Sequence, residues 1–117
     1  MKILVIVNDA PYGSEKAYNA FRLAMALQKE HADIEVWIFL MADAVTCALP
    51  VQNTPNGYYN VERMLKGMVN KGAQIKACGT CADARGLREL PLVEGVELST
   101  MSQLAHWVAE ADKVLTF

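Results

Sequence analysis

Ile3-Leu4-Val5-Ile6-Val7 is the stretch that decides the fold class: five aliphatic residues with no polar interruption. A strand with one face in water alternates apolar and polar residues. An unbroken aliphatic run belongs instead to a strand covered on both faces, as in a parallel sheet. Working outward, Ser14 is placed to cap a helix running to about Glu30, with Ala17, Ala20, Phe21, Ala24 and Leu27 at helical spacing on one stripe. Ile34 to Leu40 follows as a second strand, and Asp43 is placed to cap a short helix ending before Pro50. Strand, helix, strand in this order predicts an α/β domain.

The remainder continues the alternation. A helix begins near Asn60, buries Val61, Met64, Leu65, Met68 and Val69, and stops at Gly72. Gln74 to Ala77 reads as a third strand. Thr80 with Asp83 resembles a capping box opening a short helix that stops around Gly86. Val96 to Leu98 is a weak fourth strand, Thr100 with Gln103 opens another helix, and Lys113 to Phe117 is a terminal strand. The expectation is one domain over residues 1–117, a three-layer α/β/α sandwich on a five-stranded parallel sheet, flavodoxin-like. Residues Pro50 to Gly57 have linker chemistry inside the domain and read as a surface loop or flap.

The 117 residues are 53% hydrophobic and 21% charged, which excludes a wholly disordered chain. Net charge is −2 and the eleven Lys and Arg are spread out, so no nucleic-acid partner is expected. No apolar run approaches the roughly 20 residues that span a bilayer, and the first apolar run lacks the features of an export signal. Three cysteines in this setting do not read as a disulfide framework. The expected location is the cytoplasm, with no membrane association.

In open parallel sheets ligands bind beyond the carboxyl ends of the strands. That rule selects Asn8 to Gly13, including Tyr12, after the first strand; Met41 to Asp43 after the second; and Cys78-Gly79-Thr80-Cys81 after the third. Cys78 sits between a strand end and a helix start, where free N–H groups favour a thiolate or persulfide. Cys81 falls in the first helical turn, and Arg85, four residues on, shares its face and adds positive charge. Each has a plainer reading. Cys78 and Cys47 can be small buried hydrophobes, Cys81 can be packing or a resolving partner, and Arg85 before Gly86 can satisfy helix-end carbonyls. Cys78 and Cys81 supply half a zinc site, but Cys47, His31 and His106 lack the spacing to complete it. No phosphate-loop pattern exists at Gly13-Ser14, and His106 beside Trp107 reads as a packed or surface residue. No metal or cofactor is expected.

The motifs in order resemble the DsrE/DsrF-like family, and within it the small YchN-type branch. The resemblance covers nearly the whole chain: Ala10-Pro11-Tyr12-Gly13-Ser14-Glu15, Arg22-Leu23-Ala24, Phe39-Leu40-Met41 through Thr46, Cys78-x-x-Cys81-x-x-x-Arg85-Gly86, Gly95-Val96-Glu97 and Ala111 to Phe117. It implies assembly into trimers or hexamers. Better-understood members carry sulfur as a persulfide on one cysteine, seven and eight residues before an Arg-Gly pair, a spacing matched by Cys78, Arg85 and Gly86. The resemblance therefore implies a sulfur-relay protein, a persulfide carrier with sulfurtransferase-like chemistry at Cys78 and with sulfur donor and acceptor proteins as partners. Asn8, Tyr12, Gly13 and Asp43 are expected to line its pocket. Two alternatives stay open: a dithiol redox protein using Cys78 and Cys81, and a non-catalytic oligomeric binding module. The carrier reading needs a Cys78 thiol that is ionised and reachable.

Overall fold

A computed structural model describes residues 1–117. The aliphatic run becomes β1, Lys2–Val7, and it lies inside the sheet. β2, Glu35–Leu40, lies on one side of it and β5, Lys113–Thr116, on the other. Beyond β2 come β3, Gln74–Cys78, and β4, Val96–Ser99. Every pairing is parallel, with Val5 beside both Ile38 and Leu115. β1 and β2 are apolar at nearly every position because neighbouring strands leave only their two faces, and helices cover both.

The connecting helices are α1, Lys16–Glu30; a 3-10 helix, Ala42–Ala48; α2, Val61–Asn70; α3, Gly79–Ala84; and α4, Met101–Glu110. The strand order β4-β3-β2-β1-β5 decides the layers. From β1 to β4 the chain steps outward in one direction, and from β4 it returns across the sheet to β5. With right-handed crossovers the outward steps put α1, α2 and α3 on one face, and the return puts α4 on the other. Trp107 of α4 stacks on Trp37 with ring centroids 5.1 Å apart and meets Phe39 edge-on at 6.2 Å. The α/β/α class is as expected, but the order departs from the flavodoxin arrangement 2-1-3-4-5. Here the order in which strands are added reverses at β1, and the crevice between the parallel β1 and β5 is closed: both the backbone N–H and the side-chain amide of Asn8 donate to the Phe117 carbonyl.

Helix ends follow sequence chemistry in two cases. Asn60 caps α2 by accepting the Arg63 N–H at 3.0 Å, and Thr100 caps α4 by accepting the Gln103 N–H at 3.1 Å. In three others they do not. α1 begins at Lys16, with Ser14 accepting the Lys16 N–H from outside the helix and donating to Asp9. Asp43 lies inside the 3-10 helix rather than capping it, because its carboxylate is drawn to Arg85. Thr80 and Asp83 form no capping box: the cap of α3 is the sulfur of Cys78, and Asp83 pairs with Arg88.

The segment read as a flap is anchored by Gln52. Its amide donates to the carbonyls of Cys47 and Leu49, and its carbonyl oxygen accepts the Tyr12 hydroxyl and the Glu62 N–H. The Gln52 backbone adds bonds to Glu62 and Asn60. Thr54 accepts a further bond from the Asn60 amide at 3.4 Å, while Val51 stands 88% exposed.

Candidate functional site at the ends of β2 and β3

Cys78 is the last residue of β3, buried against the core cluster and paired across the sheet with Ser99 of β4. Its backbone is extended, which turns the side chain back over the first turn of α3. There Sγ accepts the Cys81 N–H at 3.4 Å and lies 3.2 Å from the Thr80 hydroxyl. Burial alone raises this thiol. The hydrogen bonds from the Thr80 hydroxyl, the Cys81 thiol and the Cys81 and Thr80 N–H groups outweigh it, and the pKa ends below its ordinary value. α3 has only six residues, so these local donors, rather than a long helix dipole, favour the anion.

Cys81 is shifted the other way. Burial raises its thiol, as do its hydrogen bond to Cys78 and the developing charge there, while the Ala42 N–H and Arg85 pull it down. The Ala42 N–H reaches Cys81 Sγ at 3.3 Å. Ala42 adopts φ +50°, a left-handed conformation that costs a residue with a Cβ on the order of 1 kcal/mol. That strained turn after β2 aims its amide at the neighbouring sulfur.

Arg85 joins the two loops. Its Nη1 donates to the Cys81 carbonyl at 3.1 Å, and Nε and Nη2 donate to one oxygen of Asp43 at 3.0 and 2.8 Å. The helix-end carbonyl role and the charged role are thus both present, and Asp43 shares the charge. Cys47 stands apart: it is fully buried, its thiol is pushed up to about 12 by burial, and it donates weakly to the Asp9 carbonyl at 3.8 Å. That is the packing reading.

The fold therefore brings Cys78, Cys81, Arg85 and Asp43 together. Asn8 is engaged with Phe117, and Tyr12 holds Gln52 and accepts the Val61 N–H, its ring against Tyr58 and Tyr59. Neither hydrogen-bonds to the sulfurs. Gly13 has nothing within 4 Å of where a Cβ would stand. Two partners escaped the sequence reading. Thr80 has the spacing of a cap, yet a hydroxyl two residues after a strand-end cysteine can reach its sulfur; the Ala42 amide carries no sequence signal. The Cys78 residue is only 4% exposed in the single chain. Its sulfur faces polar donors, with Cys81 on the more open side.

The five-stranded parallel sheet covered by helices is the construction of a known class, and the chain belongs to it: a sequence model of the DsrE/DsrF-like family matches residues 1–117. The chain is 46% identical over 116 residues to Protein YchN of Escherichia coli (strain K12), covering 99% of this chain and 98% of that one. It is 45% identical over 117 residues to protein MJ0989 of Methanocaldococcus jannaschii, covering all of both. The crystal structure of YchN from E. coli superposes with a TM-score of 0.95 at 45% identity, over 100% of this chain and 99% of that one. The structure of MTH1491 from Methanobacterium thermoautotrophicum, 13% identical, superposes at 0.74 over 99% and 98% of the two chains, a likeness of fold. No helix is long and apolar enough to cross a membrane.

Proposed function

We propose that this protein carries sulfane sulfur as a persulfide on Cys78. Family membership suggests a role related to sulfur relay, and the observation that carries the specific reading is the set of donors on one sulfur, with a thiol held below its ordinary value. A thiolate is the required nucleophile. Cys78–S⁻ attacks the outer sulfur of a donor persulfide R–S–S⁻, the donor's S–S bond breaks, and the products are R–S⁻ and Cys78–S–S⁻. An acceptor thiolate later attacks the outer sulfur and releases the Cys78 thiolate.

With 4% of Cys78 exposed, donor and acceptor approach from the Cys81 side or through local opening of the loop at Asp43. Assembly into a trimer or hexamer, in which a neighbour shapes that approach, belongs to this proposal, as does work in the reducing cytoplasm. The experiment is incubation of the reduced protein with glutathione persulfide and measurement of intact mass. With Cys81 replaced by Ser, the chain gains the mass of one sulfur atom, and adding Cys78→Ser abolishes the gain; an equal gain in both, or none in either, refutes the carrier.

A dithiol redox role is the second reading, favoured by the Cys81 N–H on the Cys78 sulfur, which holds the two cysteines side by side. Equilibration against glutathione buffers tests it: a Cys78–Cys81 disulfide forming reversibly within the cytosolic range supports it, and a potential far outside that range counts against it.

A further inference from the structure

Three arrangements outside the carrier step itself invite attention: the groove lined by Tyr18, Tyr58, Tyr59, Arg22 and Arg63, the polar strip of Lys76 and Glu97 on the sheet, and the position of Cys81. The third carries furthest, because it has a reacting partner in place. Cys78 is the cap of α3 and Cys81 its third residue, a spacing that brings two Cα atoms within the range a disulfide needs. The Cys81 N–H holds the Cys78 sulfur at 3.4 Å, which seats the two residues side by side at the start of α3. On its other side Cys81 Sγ receives the Ala42 N–H at 3.3 Å, delivered by a strained backbone. That amide stabilises negative charge on Cys81 at the moment it becomes a nucleophile. Cys47, with no hydrogen bond to either sulfur, takes no part.

We infer that the carrier discharges itself: Cys81 attacks Sγ of a persulfidated Cys78, expels the outer sulfur as hydrosulfide and leaves a Cys78–Cys81 disulfide. The inference rests on the carrier reading. The step balances as Cys78–S–S⁻ plus Cys81–SH giving Cys78–S–S–Cys81 plus HS⁻. The bond between the two sulfurs on Cys78 breaks, and one between Sγ of Cys78 and Sγ of Cys81 forms. The Cys81 proton goes to the departing sulfur, which is reduced from the sulfane to the sulfide level while the two cysteine sulfurs are oxidised. No outside oxidant is needed. The disulfide form has no free Cys78 and accepts no further sulfur until a dithiol reductant reopens it. Sulfur is therefore delivered only where an acceptor outruns Cys81, and an idle loaded carrier empties and locks.

The test loads wild type, Cys81→Ser, Cys81→Ala and Cys47→Ala with glutathione persulfide, removes excess reagent, and follows intact mass and free sulfide together. Wild type and Cys47→Ala release one sulfide per chain and end two hydrogens lighter than the reduced protein; added dithiothreitol restores loading. Both Cys81 variants hold the added sulfur at least about tenfold longer, the minimum expected when a well-placed intramolecular attacker is removed. If wild type and the Cys81 variants keep or lose sulfur at the same rate, self-discharge is refuted while the carrier stands. Loss of release in Cys47→Ala instead also refutes it. Cys81 variants that never gain sulfur refute the carrier, and this inference with it.

Discussion

Alkylation of the native, reduced protein separates the three cysteines by environment, and the separation is large enough to measure without ambiguity. Burial holds Cys47 at about 12, so near pH 7 only ~10⁻⁵ of it is thiolate. A thiol at the ordinary 9.0 is ~10⁻² thiolate at that pH. Cys78 lies below the ordinary value, so its reactive population exceeds that of Cys47 by at least about a thousandfold. Accessibility works in the same direction, since Cys47 is fully enclosed and Cys78 retains 4% exposure. Because Cys78 is shifted down, its labelling rate rises with pH and levels off at a lower pH than that of the same cysteine in unfolded protein; Cys47 keeps rising throughout the range. A short exposure to iodoacetamide at several pH values, followed by peptide mass mapping, reads all three sites, with Cys78→Ser as the control. A Cys78 midpoint at or above that of the unfolded chain, or Cys47 labelled alongside it, would refute the account of the donors at Thr80 and Cys81.

Trp107→Ala removes the ring packed on Trp37 and Phe39 from the one helix on its face, and urea unfolding is expected to show a loss of about 3–5 kcal/mol. Gly95→Ala places a Cβ 2.5 Å from Val69 Cγ1 at φ +92°, costing about 1–3 kcal/mol from backbone strain before the clash is counted; Val69→Ala in the same chain recovers the clash but not the strain, and full recovery would contradict this. Arg85→Gln removes a partly exposed ion pair with Asp43, so stability changes by no more than about 1 kcal/mol. It also removes a charge that lowers Cys81, so the labelling midpoint of Cys81 moves up; a downward shift would overturn the assignment.

How far the site was legible depends on which physics each residue obeys. Cys78 and Cys81 can be placed at a strand end from sequence because a strand pattern ending at a cysteine pair is a local property. Arg85 was placed correctly relative to Cys81, since four residues along a helix fix a neighbour. Its bond to Asp43 was not visible, because the two are 42 residues apart and meet only where β2 and β3 lie side by side. Asn8 and Tyr12 stand on the expected edge, yet their side chains turn to Phe117 and Gln52. Edge position is a property of topology, whereas side-chain direction is decided by competing partners. The Thr80–Asp83 pair shows the same limit: it has the spacing of a capping box, but the helix starts at Gly79 with the Cys78 sulfur as its cap, so Thr80 lies inside the first turn.

Residue order alone determined that β1 and β2 are buried on both faces, that helices alternate with strands, and that a cysteine pair opens α3. Hydrophobic period and capping act within a few residues and are written locally. Tertiary structure alone decided the strand order, the closing of the crevice at Asn8 by Phe117, and the enclosure of Cys78. The donors on Cys78 are local, from Thr80 and Cys81, whereas the burial that raises Cys81, the Ala42 amide on its sulfur and the Asp43 carboxylate on Arg85 come from elsewhere in the chain. Hydrogen bonds and charges act over a few ångströms of space, whatever their separation along the chain.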